Sequence, residues 1–408
     1  MSITVKPRIT VLGVDGREMT DHARERLAGA ALVVGGERHL TEHADAIPPG
    51  ALRSALGGDL TPVLDAVVGA TGPVVVLASG DPAFFGIVRA LAERVGRKRL
   101  DVVPAVSSVA TVFARAALSW DDAVVVSAHG RDLRRAVNTA LARPKVAILT
   151  APGSGPAEIA AALADAPRTM IVGERLGTPQ ERVVEGAPPV IAAQQWAEPN
   201  VVIVLDETRA LPPRGAVFPR AAAPAGWALD EHQFDHRDGM VTKAEVRALA
   251  LARLGPGLGD LVWDIGAGSG SVGVECARFG AAVIAIDRDV STAERIRANA
   301  DRHGVDVRIV AGNAAALLGD LPDPDAVFVG GSGDEFEPVL AEAAKRAARA
   351  VVVALAGIER VTHARETLAA AGFAVEVVLL QASRLRDIGA LSGFAAANPV
   401  FVVSGVRR

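Results

Sequence analysis

Short Val/Ile/Leu-rich runs alternate with Ala-rich, helix-like stretches along nearly the whole chain. In the first half the runs predict strands at residues 9–12, 32–34, 74–77, 102–103, 124–127, 146–149, 170–172 and 201–205. In the second half they predict strands at 261–263, 283–286, 307–310, 326–329, 350–354, 375–380 and 400–403. The runs are apolar throughout rather than alternating, as in strands buried on both faces, so the expected fold class is α/β with helices covering the sheets. The pattern lapses from Leu211-Pro212-Pro213-Arg214-Gly215 to Ala221-Ala222-Ala223-Pro224-Ala225-Gly226, where Pro and Gly occur without a period. That is linker composition, and it predicts one domain at 1–210, a linker at 211–225 and a second domain at 226–408. The halves are not repeats of each other, which predicts two different folds.

Composition narrows the picture. The 408 residues exceed a typical single domain, and with 50% hydrophobic residues each half can bury a core without disulfides or metal. A formal net charge of −4 argues against a nucleic-acid partner. The basic run 94–99 and the pair Arg134–Arg135 read as solvated faces. The single cysteine, Cys276, excludes an intrachain disulfide and a thiolate zinc site, and its apolar helical setting predicts a small buried hydrophobe. The chain opens directly into a strand pattern, which predicts no secretory signal, and no apolar run approaches the roughly 20 residues that cross a bilayer. A cytoplasmic protein with no membrane partner is expected.

Leu261-Val262-Trp263-Asp264-Ile265-Gly266-Ala267-Gly268-Ser269-Gly270 is a strand running into an acidic residue and a glycine-spaced turn, followed by a predicted helix. Glycines at this spacing allow a tight turn, often at positive φ, and close approach of a ligand to the backbone. Asp287 ends the next strand, where a carboxylate can accept hydrogen bonds from both hydroxyls of a ribose. Gly312, Asn313 and Ala314 end a third, where an amide and backbone groups can read an adenine edge. Three strand ends converging on one crevice make a nucleoside site.

Two chemistries use such a crevice. Gly268-Ser269-Gly270-Ser271-Val272-Gly273 fits the dinucleotide pattern G-x-G-x-x-G, which would make the chain an NAD-dependent oxidoreductase, and a ligand-free turn is the bland third reading. Asp264 favours another ligand, because a carboxylate at the strand end suits a sulfonium and an ammonium and repels a pyrophosphate. Asp264 to Gly270 resembles motif I of class I methyltransferases, D/E-x-G-x-G-x-G, at every position. The resemblance implies a Rossmann-like domain whose cofactor, S-adenosylmethionine, is held by Asp264, Gly266, Ala267, Gly268, Ser269, Gly270, Asp287, Gly312, Asn313 and Ala314.

Upstream, Asp235-His236-Arg237-Asp238-Gly239-Met240-Val241-Thr242-Lys243 resembles the entry segment of decarboxylating corrin methyltransferase domains. This implies that Thr242 helps close over the cofactor; Thr242 and Glu245 also fit a capping box. His236, Arg237, Asp238 and Arg384 (or Arg386) are candidates for orienting an acetate or moving a proton. Gly330-Gly331-Ser332-Gly333 either opens the substrate side of the crevice or is a flexible loop.

In the first half, Ser79-Gly80-Asp81-Pro82-Ala83-Phe84-Phe85-Gly86 follows the run at 74–77. Val11-Leu12-Gly13-Val14-Asp15-Gly16, Val33-Val34-Gly35-Gly36-Glu37-Arg38-His39-Leu40, Pro104-Ala105-Val106-Ser107-Ser108-Val109 and Ser127-Ala128-His129-Gly130-Arg131 also lie in order at predicted strand ends. The set resembles the tetrapyrrole (corrin/porphyrin) methylase family, which implies a fold of two α/β subdomains. It also implies a second, unlike S-adenosylmethionine site at Gly13, Ser79, Gly80, Asp81, Phe84, Ser107 and Ser108. The family's first loop is commonly G-x-G-P-G; here Asp15 and Gly16 replace the second glycine and the proline. Taken singly, Gly80–Pro82 is a surface turn and Ser107 or Ser108 a helix N-cap. His129 and Arg131, in a loop after a strand, are candidate substrate residues, Arg131 through a bidentate pair with a carboxylate.

Together the halves resemble the fused, decarboxylating C5,15-methyltransferase family of corrin biosynthesis. The resemblance implies methylation of precorrin-6Y (precorrin-6B) at C5 by the first half and at C15 by the second. It also implies loss of the C12 acetate as carbon dioxide, giving precorrin-8X in cobalamin biosynthesis. A cobalt-precorrin substrate stays open. A tetrapyrrole is the expected small-molecule partner, a homo-oligomer the expected assembly, and no metal site is expected.

Overall fold

The computed structural model describes residues 8–209, 226–237, 239–330, 333–389 and 391–407; the linker expectation at 211–225 lies outside them. The chain divides into two compact units. The first runs to Arg131 and resumes at Ala147–Val204, and the second comprises Asp132–Val146 and Leu205–Arg408.

The first unit holds strands β1 (Ile9–Val14), β2 (Leu32–Gly35), β3 (Leu52–Ala55), β4 (Val74–Ser79) and β5 (Leu100–Val103). They form a parallel sheet in the order β3-β2-β4-β1-β5. Strands β6 (Val124–Ser127), β7 (Lys145–Leu149), β8 (Thr169–Glu174), β9 (Arg182–Gly186) and β10 (Asn200–Leu205) form another, in the order β6-β7-β10-β8-β9, with β8 and β9 antiparallel. Two α/β layers in one unit match the expected pair of subdomains. Successive residues of β4 point to opposite sides, Val74 and Val76 into one core and Val75 and Leu77 into another. Helices cover both faces, which is why the run carries no polar alternation.

The second unit holds β11 (Leu261–Ile265), β12 (Ala282–Asp287), β13 (Arg308–Ala311), β14 (Ala326–Val329), β15 (Ala350–Leu355), β16 (Ala374–Leu380), β17 (Ser383–Ile388), β18 (Leu391–Ala396) and β19 (Val400–Val406). The main sheet has the order β13-β12-β11-β14-β15-β19-β16, parallel from β13 to β15, with β19 antiparallel to both neighbours. Strands β17 and β18 pair as a separate hairpin. From β11 the chain goes outward first through β12 and β13, then through β14 and β15 on the other side. The crevice at that reversal is where α/β sheets bind ligands. Trp263 and Val262 fill cores on opposite faces of β11. Cys276 is fully buried in the second of these, and burial pushes its thiol well up, as expected of a packing residue.

The helix Leu133–Ala142 belongs to the second unit. Arg134 forks onto Asp325 through Nη1 to Oδ2 at 3.1 Å and Nη2 to Oδ1 at 2.7 Å, while Asn138 Nδ2 donates to Gly259 O at 3.1 Å. The solvated reading of Arg134 is therefore corrected: its charge is matched by a carboxylate whose side chain is 10% exposed. Among the described residues no helix is long and apolar enough to cross a membrane.

Candidate active site

In the second unit Gly266, Gly268 and Gly270 take φ of 69°, 55° and 71°, so the chain leaving β11 coils back over the end of the sheet in a conformation L side chains resist. The turn is held by its neighbours. Gly266 N and Ala267 N donate to Ile286 O at 2.8 and 3.2 Å, and Gly268 N donates to Asp287 Oδ2 at 2.8 Å. Gly312 N donates to Asp287 O and Gly330 N to Ile265 O, both at 2.8 Å. The ends of four strands thus meet at one crevice. A Cβ on Gly268 would meet nothing within 4 Å, so open space lies over the backbone there.

Asp264 departs from its expectation. It is 1% exposed, and Oδ2 accepts from Gly273 N at 2.8 Å. The carboxylate lies under the turn and braces it to the helix Ser271–Arg278 instead of facing a ligand. Burial pushes its carboxyl up to about 7, against the Gly273 bond and with help from Asp287. Asp287 stands half-buried at the lip, with Oδ1 taking Asp289 N at 2.9 Å. Ser269 is buried, and its carbonyl accepts from Asn299 Nδ2 at 2.8 Å. Asn313 Nδ2 donates to Glu335, which turns that amide toward a carboxylate at the site's edge, and Ala314 begins the next helix.

Asn299, which sequence reasoning passed over, ties the entry segment to this turn. Besides Ser269 O, its side chain donates to Asp235 O at 3.0 Å and accepts from Asp235 N at 2.7 Å. The sequence shows only an Asn three positions after Ile296 and next to Ala300; that all three are buried on one helix face is seen in the structure. His236, next along, is half-buried, and its Nδ1 has no hydrogen-bond partner. Arg237 Nη1 lies 3.7 Å from Asp289 Oδ2. Asp238 and the Gly331-Ser332 pair lie outside the described residues.

Two further expectations are corrected. Thr242 and Glu245 form no capping box: the helix Ala244–Leu254 has no side-chain cap from its own N-cap residue, and Ala244 N donates instead to Glu231 Oε1 at 3.0 Å. Thr242 contributes its carbonyl, which accepts from Arg247. Arg384 does not present a free guanidinium to an acetate. It lies 2.7 Å from Glu231 Oε2 and 2.8 Å from Glu245 Oε2, and holds Glu231 down to about 2. Arg386 is exposed on the same strand.

In the first unit Gly13, Gly80 and Ser107 come together. Gly80 N donates to Val14 O at 2.7 Å, and Ala105 N to Gly80 O at 3.2 Å. A Cβ on Gly13 would lie 2.1 Å from Gly80 O and 2.4 Å from Ala105 N, so only glycine allows the strand ends to close. A Cβ on Gly80 would lie 3.0 Å from Ser107 Cα. Ser107 Oγ caps the helix Ser108–Arg115 by accepting from Ala110 N at 3.1 Å. Asp81 Oδ1 accepts from Ala83 N at 2.9 Å, and Phe84 packs edge-on against exposed Phe85 at 5.0 Å. Ser79 Oγ lies 2.8 Å from His39 Nε2. The divergent Asp15-Gly16 loop packs on residues 176–178, where a Cβ on Gly177 would lie 2.0 Å from Asp15 O. His129 and Arg131 sit exposed in the turn after β6.

Residues 12–187 match the family described as Tetrapyrrole (Corrin/Porphyrin) Methylases, and residues 232–407 match the Precorrin methyltransferase domain. A Sinorhizobium protein named precorrin-6Y C(5,15)-methyltransferase (decarboxylating) is 36% identical over 97% of this chain and 95% of its own. The chain belongs to the precorrin-6Y C(5,15)-methyltransferase (decarboxylating) family. As a member of that family it is a decarboxylating methyltransferase. Shorter proteins match parts of it. A probable cobalt-precorrin-6B C(15)-methyltransferase (decarboxylating) from Pyrobaculum calidifontis is 33% identical over 43% of this chain and 94% of its own. A cobalt-precorrin-7 C(5)-methyltransferase from Salmonella typhimurium is 34% identical over 49% of this chain and 99% of its own.

Proposed function

We propose that this protein methylates precorrin-6Y (precorrin-6B) at C5 and C15 and removes the C12 acetate as carbon dioxide, giving precorrin-8X in cobalamin biosynthesis, with S-adenosylmethionine as methyl donor. The observation that carries the reading is the presence of two unlike glycine-lined strand-end sites, one in each unit of a chain from the fused family. We assign C5 methylation to residues 1–210 and C15 methylation with decarboxylation to 226–408. The shorter relatives named for one methylation each support that division.

In the second unit the cofactor would lie across Gly266, Ala267, Gly268, Ser269 and Gly270, with its ribose at Asp287, its adenine at Gly312, Asn313 and Ala314, and Thr242 closing over it. The open space that a Cβ on Gly268 would enter fits this role. In the first unit it would meet Gly13, Ser79, Gly80, Asp81, Phe84, Ser107 and Ser108. Bound there, S-adenosylmethionine supplies a methyl group activated by a cationic sulfur. The chain's part is to orient an electron-rich ring carbon and exclude water. His129 and Arg131 are assigned to ring carboxylates, and His236, Arg237 and Asp238 to the acetate and the proton that replaces it. The orphaned Nδ1 of His236 supports the last assignment.

The protein would act in the cytoplasm as a homo-oligomer. The paired Leu385 and Phe394, exposed at 61% and 76% on the β17–β18 hairpin, support an interface there. The test is mass spectrometry of metal-free precorrin-6Y after incubation with the protein and S-adenosylmethionine. Gain of two methyl groups with loss of one carbon dioxide is expected. Turnover only of the cobalt-bearing ring would reassign the substrate, and no methyl transfer to either would overturn the reading.

A further inference from the structure

Ser79 ends β4, and the short helix Glu37–Glu42 follows the neighbouring strand β2. His39 of that helix is 6% exposed, with Nε2 2.8 Å from Ser79 Oγ. Its other nitrogen, Nδ1, is buried without a hydrogen-bond partner and faces Glu42 Oε2 at 3.6 Å. Ser79 is exposed at one end of this line, and the Glu42 side chain is 42% exposed at the other. A hydroxyl, an imidazole and a carboxylate in this order form a path along which a proton can move.

We propose that Ser79, His39 and Glu42 form a proton relay that clears the ring proton released when the first unit methylates its substrate, an inference that rests on the C5 assignment above. The need for it follows from the balance of the step. A ring carbon forms a new C–C bond with a π electron pair while the S–C bond of the donor breaks, which leaves the ring with one positive charge. Neutrality returns when the ring loses a C–H or N–H proton. Ser79 Oγ takes that proton as its own passes to His39 Nε2, while the Nδ1 proton of His39 leaves toward Glu42 and water, so that no second cation is held beside Arg38.

The surroundings suit a neutral acceptor. Burial, then the Arg38 charge, holds His39 down to about 4 against the pull of Glu42, and His43 lowers it slightly further. His39, Glu42 and His43 also present ligand atoms within 4.8 Å of one another. A metal ion would have to draw them to about 2 Å from one point. Arg38 already stands there, 3.9 Å from Glu42 Oε1 and 3.4 Å from both Ser79 Oγ and His39 Nε2, and its fixed positive charge opposes a second cation. The 2.8 Å from Ser79 Oγ to His39 Nε2 suits proton transfer as it stands, and the 3.6 Å from Nδ1 to Glu42 Oε2 closes for the second transfer.

Two readouts on the full chain test the relay. Nitrogen-15 NMR of histidine-labelled protein should find neutral His39 with its proton on Nδ1 and an accepting Nε2 that shifts in Ser79→Ala. A proton on Nε2 would overturn the proposal. In turnover of precorrin-6Y, His39→Gln keeps a polar contact for Ser79 but cannot take up a proton and pass it on, and should lower kcat for C5 methylation by about 100-fold with KM little changed. C15 methylation and decarboxylation, followed in the same sample, should continue. Glu42→Gln, at an exposed position, should lower kcat less and in the same direction. Wild-type kcat in His39→Gln would overturn the relay, whereas a wild-type chain that adds no methyl at C5 would overturn the assignment on which it rests.

Discussion

Arg247 and Glu275 form a completely buried ion pair, Nε to Oε1 at 2.6 Å, beneath the entry segment of the second unit. Arg247 also donates to the carbonyls of Thr242 and Leu229, and its guanidinium lies over the Phe234 ring at 4.7 Å. Glu275 accepts from Ala228 N at 2.8 Å and Leu229 N at 2.9 Å. The pair therefore anchors the chain on either side of His236 to the helix that starts at the glycine turn.

Removing one partner strands the other charge. Arg247→Met should destabilise the second unit by about 3–5 kcal/mol. Hydrogen exchange should show residues 228–243 losing protection first. Arg247→Met with Glu275→Leu should recover much of the loss, because desolvation of both charges disappears with them.

The two proposed cofactor sites should be separately breakable. Gly268→Val places a β-branched residue at φ 55° with its side chain in the open crevice, and Gly13→Val drives a Cβ into Gly80 O. Calorimetry with S-adenosylhomocysteine should find two sites in the wild type and one in each folded variant. Loss of both sites from Gly268→Val would mean that the sites are not independent.

Asp264 makes stability depend on pH. Its carboxyl titrates near 7 when folded and near 4 when unfolded, so the folded state holds the proton more tightly and loses stability as pH rises between those values. Asp264→Asn keeps an acceptor for Gly273 N without the buried charge. Its stability relative to wild type should grow by roughly 4 kcal/mol from pH 4 to pH 7 and level off above, as read by denaturant unfolding at stepped pH.

His236 and Arg384 should respond differently. His236→Gln should reduce decarboxylation by about 100-fold while C5 methylation continues. Arg384→Met should leave both steps within a few-fold of wild type, since its charge is occupied by Glu231 and Glu245. Its signature is in Glu231, whose carboxyl should rise from about 2 toward its ordinary range. The stabilisation from that pair, present above the ordinary carboxylate pKa and lost as pH falls toward 2, should vanish with it.

Every apolar run read as a strand is one. The strands that escaped, β3, β9, β17 and β18, are largely exposed and carry charged or small residues such as Arg53, Arg182, Arg384 and Gly393. A strand buried on both faces writes itself into the sequence as an apolar run, whereas an exposed edge does not. Local glycine geometry was legible where the backbone itself demands it, at the positive φ of Gly266, Gly268 and Gly270, whereas the need for glycine at Gly13 comes from Gly80 and Ala105, distant in sequence.

By itself, then, the sequence determined the α/β class, the main strands, the glycine turns and the two family resemblances, because each is carried by residues a few positions apart. Tertiary structure alone decided which way the charges face. Asp264 turned under the loop to Gly273, Arg384 closed on Glu231 and Glu245, Arg134 reached Asp325 at 191 positions' distance, and His39 met Ser79 across two strands. A buried charge or polar atom must find a partner, and which partner lies within reach depends on strand order and helix placement, not on sequence neighbours.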